Sequence, residues 1–565
     1  LDSDWKSDGN WNQTGAPALG DDAIIGASAS VLVSGGASAA NVYLNGGSSS
    51  LSVGSEATLD IGSESQSGTL TLGVVGDASL TVNGGGVLTV AGSSGNSVVG
   101  RLAAGTATVD GPDSSWTTGN ITVGFGAQGT LNITGGGAVN SLNVDFANGN
   151  SAGAGGTGGT VFVTGSGSQW NVSGTLKISR YVDETDYNSG ALTIADSASV
   201  TVDGGTGTVE IYTNGSLDIG SGALAGVLNA SQVSFTHTAA EGAISATLPV
   251  LRFDHTDDIT FATAITGDGQ VIKDGSGSVT LTAANTYTGP TLVNAGTFVI
   301  DINGVWAAST EIQVSGSDTV LRIASGSTVG ADLAVTDSTV EVAGTLADNP
   351  VESTFDGDAS LHVLSTGTIS DGYFTFSGQS SLVVDEGGSI AFGDFYFDES
   401  ATFVATGTGA VTDGIFGFGG NRSITLPAPG VITAAYIELY DNVSTDLNQT
   451  GMILSYRDEE DPGLDLEVSL DLYNTSHATI SATAAVDSSL VTLWDQSTVS
   501  ITATGAVYNS LLDLGDDAVV TLGADNALNE SGLYLGGNAS FILNGYDATL
   551  VDFVAYGGRV VNNSA

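Results

Sequence analysis

Apolar and polar residues alternate along most of this chain in runs of four or five, and each run gives way to a cluster of Gly, Ser, Asn or Asp. A period of two predicts strands with one buried face, and the clusters predict tight turns between them. In Ser79-Leu80-Thr81-Val82-Asn83 the apolar pair points to one side and the polar residues to the other. The unit recurs. Ser79-Leu80-Thr81-Val82-Asn83-Gly84-Gly85-Gly86 returns as Thr130-Leu131-Asn132-Ile133-Thr134-Gly135-Gly136-Gly137. Gly111-Pro112-Asp113-Ser114-Ser115-Trp116 returns as Gly165-Ser166-Gly167-Ser168-Gln169-Trp170, and Thr58-Leu59-Asp60-Ile61-Gly62-Ser63 is echoed by Ser216-Leu217-Asp218-Ile219-Gly220-Ser221. Short strands with turns about every 8–12 residues suit a sandwich, barrel, propeller or solenoid. A single core stops growing at roughly 250–300 residues, yet this chain of 565 continues without a Pro-rich or Ser-rich linker. A stack of coils has no such ceiling, because each coil touches only its neighbours. The predicted fold is all-β: a long right-handed parallel β-helix of about 20–25 residues per coil, with glycine at its corners.

Composition sharpens that prediction. The 82 glycines are roughly twice ordinary usage, while 8 prolines and the lack of a three-residue glycine period exclude collagen. With 41% hydrophobic residues there is apolar surface to bury, which argues against disorder. No apolar run is long enough to cross a membrane as a helix. Three segments differ in texture: 1–235 carries the triple glycines and paired Trp motifs, 236–310 carries the motif described next, and 311–565 is richer in Phe, Tyr and Asp with less regular spacing. They are expected to be parts of one solenoid.

Charge and cysteine narrow the partners. The 61 acidic residues against 10 basic ones give a net charge of −51, and no basic residue falls between Arg180 and Arg252 or between Arg322 and Arg422. Nucleic acid and anionic membrane surfaces both need clustered cations, so neither is an expected partner, and no membrane insertion by this chain is expected. Absence of cysteine excludes disulfides, thiolate catalysis and thiolate metal sites. The opening at Leu1 has no charged start followed by an apolar stretch, so an export signal is expected to have been removed already.

One stretch carries a resemblance. From Ile265-Thr266-Gly267-Asp268-Gly269 through Lys273, Gly275-Ser276-Gly277 and Leu281, the chain reaches Asn285-Thr286-Tyr287-Thr288-Gly289-Pro290-Thr291 and closes on Asn294-Ala295-Gly296-Thr297-Phe298-Val299-Ile300. This resembles the passenger-associated transport repeat of bacterial autotransporters. The opening from Trp5 through Trp11-Asn12 to Ile24-Ile25 and the ending around Gly557-Gly558-Arg559 also look like passengers of that family. The resemblance implies a β-helical passenger, extracellular or on the bacterial cell surface, moved across the outer membrane by a C-terminal barrel. Within the repeat, Gly267, Gly269, Gly275 and Gly277 are expected at positive φ, Leu281, Leu292, Val293 and Val299 in the core, and Tyr287 capping a corner with its hydroxyl in water.

Parallel β-helices can be polysaccharide lyases or hydrolases, which need basic groups beside carboxylates or paired carboxylates. Lys177 and Arg180 lie near Asp183, Glu184 and Asp186, and Arg457 adjoins Asp458, Glu459, Glu460 and Asp461. Both groups interrupt the strand pattern as protruding loops would, and solvated acidic loops with surface ion pairs explain them best. Their carboxylates are also the candidate ligands should calcium bind; no other cofactor is expected. The doublets Asp257-Asp258 and Asp516-Asp517 would point to opposite faces of a strand, so neither alone is a catalytic pair. His237, His255, His362 and His477 are scattered, without zinc-site spacing.

The expected function is a structural or adhesive surface protein, self-associating side by side or end to end, with surface glycans as a second class of partner. A carbohydrate-active enzyme on the same fold is the alternative. For assembly, Trp5 and Trp11 are expected to fold over the first coil, while Phe541, Leu550 and Phe553 mark an apolar final coil that calls for a partner.

Overall fold

The computed structural model describes residues 3–12, 15–92, 95–146, 158–179, 189–237, 247–306, 311–347, 352–398, 400–407, 410–412, 414–427, 431–432, 436–450, 452–454 and 469–563. Among these residues there is no α-helix, only single 3-10 turns at Asp8–Asn10 and Asp203–Gly205. They gather into two compact units, Leu1–Phe298 and, in the second, Val299–Trp306 with Glu311–Ala565. Both are parallel β-helices.

In the first unit each coil lays one strand in each of three sheets. One sheet stacks eleven strands from Asp22–Ile25 to Thr286–Tyr287. A second runs from Ser30–Val33 through Gly129–Thr134 and Ser189–Ala195 to Thr291–Val293, and a third from Gly36–Ala39 to Val227–Asn229. The alternation read from the sequence is the burial pattern: in Asn120–Val123 the Ile and Val are buried and the Asn and Thr half-buried. Trp116 and Trp170, the paired aromatics, both point into the core. Coil length varies widely, since Asp22 pairs with Asn41 but Ser216 pairs with Val250.

Triple-glycine corners combine two requirements. Gly135 and Gly136 adopt φ of 58° and 95°, values that disfavour any side chain. Gly137 is not left-handed, but a Cβ there would run into the Val109 carbonyl one coil earlier.

The second unit corrects an expectation. Its spacing is the more regular of the two. Along its longest sheet Tyr373 pairs with Asp394, Asp394 with Ile415 and Ile415 with Tyr436, and after one longer coil Ser469 pairs with Leu490 and Leu490 with Leu511. Hydrogen bonds between neighbouring coils here bridge 21 residues again and again. The shared demand is a corner residue with positive φ: Asp441 (57°), Asn474 (57°), Asp495 (59°), Asp516 (48°) and Gly537 (52°). Asp, Asn and Gly all tolerate the left-handed region, so one geometric repeat is written in three letters. That is why letter-for-letter similarity did not disclose it.

Register also stacks like on like inside this unit. Phe374, Phe395 and Phe416 occupy one inward column with ring centroids 4.9 and 5.0 Å apart. Phe355, Phe376, Phe397 and Phe418 form another at 4.9, 4.8 and 5.1 Å. These spacings match the separation of paired strands, about 4.8 Å. Inside a corner, the Ser489 and Ser510 amides donate to the hydroxyls of Ser510 and Ser531, so buried backbone groups find partners one coil on.

Phe395 is fully buried between two stacked rings. Phe395→Ala should therefore destabilise the second unit by about 3–5 kcal/mol, measured by urea unfolding. Thr375→Ala, half-buried in the neighbouring strand, should stay within about 0.5 kcal/mol.

Candidate functional site

Chemistry-bearing side chains of the first unit concentrate around 252–291. Lys273 sits in the strand Gln270–Lys273 yet is fully buried, and its ammonium donates to the carbonyls of Gly275 and, at 3.2 Å, Ala295. Burial pushes its pKa down to about 8, against the pull of Asp254 and Asp274. His255 is equally buried; its Nδ1 lies 2.7 Å from the Asp257 carbonyl and its Nε2 has no partner. A carbonyl only accepts, so Nδ1 carries a proton, and a second proton on the buried Nε2 would have no acceptor. Burial lowers the His255 pKa, and the nearby Lys273 charge adds to the effect. On the outer side, Arg252 reaches Asp218 one coil back at 3.3 Å and also meets Asp274. Lys273 and Arg252 tie neighbouring coils together, while His255 bonds back to its own turn.

Several expectations for this stretch change. Tyr287 is fully buried, not at water: its hydroxyl lies 2.5 Å from the Thr291 hydroxyl, and burial raises its pKa. Of the four glycines expected at positive φ only Gly267 has it, at 87°. Gly269, Gly275 and Gly277 are required for close approach instead, because a Cβ would strike the Phe235 ring, the His255 backbone and the Asp257 carbonyl respectively. Leu281 and Val293 are core residues, but Leu292 and Val299 are half-buried; Thr291, Phe298 and Ile300 take the inward positions. The strand Thr297–Ile300 enters one residue out of the anticipated phase, which exchanges its inward and outward side chains.

Lys177 belongs to the strand Leu176–Ile178, not to a loop, and its ammonium lies 3.4 Å from Glu210, its partner in register. Arg180, Asp183, Glu184, Asp186, Arg457, Asp458, Glu459, Glu460 and Asp461 lie outside the described residues. Asp257 and Asp258 accept from the amides of Ala225 and Ser278, at 2.9 and 3.0 Å. Asp517 accepts from the Asn538 side chain at 3.1 Å, and the Asp516 carboxylate faces the Asp495 amide at 3.4 Å. His237, His362 and His477 neighbour Asp268, Asp385 and Thr498, each on its own. Among the described residues no three His, Asp or Glu side chains gather as a metal would need.

At the assembly candidates, Trp5 is buried, its amide donates to the Leu32 carbonyl, and the Trp11 indole donates to the Trp5 carbonyl at 2.8 Å. The two rings meet edge-on at 5.0 Å beside the strand Ser30–Val33. Phe541 is buried in register with Val520 and Val560; Leu550 is half-buried and Phe553 exposed.

Outward positions form polar columns, which local sequence alone does not reveal. Asn120 donates to Asn96 at 3.0 Å and Asn143 to Asn120 at 2.9 Å, and Thr175 extends the file by donating to Asn143. From Asn96 to Asn143 the column presents the same group on three successive coils, in an array fixed by the backbone.

Residues 271–300 match the passenger-associated-transport-repeat family. The chain carries an autotransporter passenger repeat. Over 221 residues it is 31% identical to the adhesin BmaC autotransporter of Brucella suis biovar 1 (strain 1330), a match that takes in 37% of this chain and 6% of that protein. The chain thus matches only a small part of the adhesin's length. Among solved structures, that of a TibC-catalyzed hyper-glycosylated TibA fragment aligns with 68% of the chain and 99% of the fragment, at 13% identity and a TM-score of 0.23. The matched repeat coincides with the coils that bury Lys273 and Tyr287, so its motif residues here are packing and corner residues.

The buried neutral His255 gives a pH prediction. Its folded pKa lies below the ordinary value of about 6.5, so in that window the unfolded chain binds the extra proton. Stability should be lost as pH falls below about 6.5. Between about pH 6.5 and 5 the wild-type melting temperature should fall further than that of His255→Gln, measured by circular dichroism; parallel profiles would remove His255 as the cause.

Proposed function

We propose that this chain is a secreted or surface-exposed adhesive β-helical protein that works through many weak contacts along its coils. Those contacts join copies of the chain, side by side or end to end, or attach it to surface glycans. The observation that carries this reading is the column geometry, in which Asn96, Asn120 and Asn143 repeat one hydrogen-bonding group coil after coil. Each contact on such a column is weak, but the fixed spacing makes later contacts intramolecular after the first, which multiplies affinity without any deep pocket. The passenger repeat and the adhesin relative support the same direction.

Non-catalytic action is part of the proposal. Lys177 is committed to Glu210, and the carboxylates of Asp257, Asp258 and Asp517 to donors of neighbouring turns or coils. A lyase or hydrolase would need a base and an acid converging on one substrate atom.

The net charge of −51 opposes association of like chains in dilute buffer, and salt shortens the reach of that repulsion from about 8 Å at physiological strength to about 3 Å at 1 M. Light scattering across NaCl and CaCl2 series should show particles growing with ionic strength, and with calcium beyond its ionic-strength effect where carboxylates are bridged. A chain that stays monomeric throughout would overturn the homotypic form of the proposal. Purified protein should leave pectin and alginate intact.

A further inference from the structure

The second unit carries, on the outward side of its longest sheet, a face unlike the Asn and Thr columns of the first. Tyr396, Gly417, Glu438, Asp471, Thr492, Asp513 and Tyr534 follow one another in register, one per coil. Beside them, just beyond Leu439, Leu472 and Leu493, stand Tyr440, Tyr473 and Trp494. Tyr440 and Tyr473 stack with centroids 5.2 Å apart and planes 11° apart. Two glycines make room for the rings. A Cβ at Gly515 would collide with the Trp494 indole, and one at Gly417 with the Tyr396 ring. Trp494 therefore lies over the coil that follows it, with 40% of its surface still exposed.

The carboxylates between the rings are built in. The Tyr440 hydroxyl donates to Glu438, and Asp471 accepts from Thr492 and, at 2.8 Å, from Ser469. Burial raises the pKa of Asp471 and of Asp513, so both would gain from a cation. The sequence offers only Arg457 as a basic residue between Arg422 and Arg559. Among the described residues the face consists of aromatic rings, hydroxyls and carboxylates, without a Lys or Arg side chain.

We infer that this face binds an amine-bearing glycan, a polymer of pyranose rings with free ammonium groups. An ammonium satisfies the carboxylates by charge-assisted hydrogen bonds and is attracted to ring faces. A pyranose also brings flat C–H faces that pack on an indole, and hydroxyls that donate to acidic oxygens. A basic peptide supplies the charge without that flat apolar surface, and acidic glycans are repelled. Trp494 is exposed at the end of a file whose tyrosines are half-buried, so their ring edges and hydroxyls line one continuous face with the open indole. This inference rests on the adhesive reading, whose glycan-binding branch it specifies.

The test uses the full chain and glucosamine hexamer, with N-acetylglucosamine hexamer and hexalysine as comparisons, read by calorimetry and tryptophan fluorescence. Trp5, Trp116, Trp170 and Trp306 are buried and Trp11 is half-buried against Trp5 in the first unit, so a ligand-induced change that disappears in Trp494→Ala is assigned to Trp494. Glucosamine hexamer should bind, and Trp494→Ala should weaken it by about tenfold or more. Glu438→Gln and Asp471→Asn should each weaken it severalfold, while Trp494→Tyr should retain most binding. Circular dichroism melts confirm that each variant folds. Equal binding of the N-acetylated hexamer, equal binding of hexalysine, or binding indifferent to Trp494→Ala would each overturn the proposal, as would no binding at all. Light scattering on the same samples separates this from failure of the homotypic reading, since chains that associate with salt yet ignore the hexamer sink only the glycan site.

Discussion

Backbone hydrogen bonds join each coil to the next in parallel register, and nearly everything else in this protein is a consequence of that pairing. A residue on one coil stands beside the residue that answers it one turn later, so the requirement at a position is a requirement on a column. Inward columns can be filled by identical apolar side chains, as with Phe374, Phe395 and Phe416. Outward columns can be filled by side chains that hydrogen-bond to their own kind, as with Asn96, Asn120 and Asn143. Corners can be filled by whatever tolerates a left-handed backbone.

The same constraint explains which features were legible in the sequence. Alternation within strands is local, so the all-β character and the stacked architecture followed from the pattern of residues, while Leu292 and Val299 turned out half-buried instead of inward. Column membership is not local. Asp441, Asn474, Asp495, Asp516 and Gly537 share one conformation but not one residue type, so the regular coils of the second unit were hidden behind varied letters. Gly275 and Gly277 looked like left-handed corners but answer to the backbone of the previous coil, which sequence distance conceals.

Polar groups were legible by type and not by depth. Tyr287 and Lys273 look like surface residues by composition, yet both lie inside and are reconciled to burial by Thr291 and by the carbonyls of Gly275 and Ala295. A buried amine with two carbonyl partners ties one turn to another while its charge stays close to Asp254 and Asp274. The outward aromatics of the second unit were visible as a composition shift, but their alignment with Glu438 and Asp471 required the register. Scarce cations follow a simpler rule, since Lys177, Arg252 and Arg322 each pair with a carboxylate one coil away.

The 21-residue period in the second unit bears on how such a chain can change over generations. Loss or gain of a single residue inside a strand moves its apolar set to the wrong side and breaks every column it enters. Loss or gain of a whole period returns each side chain to an equivalent place, with new neighbours of the same kind above and below. Length is then a quantised and nearly neutral variable. Duplication or deletion of one coil lengthens or shortens the array of surface groups by one, leaving the interior chemistry unchanged.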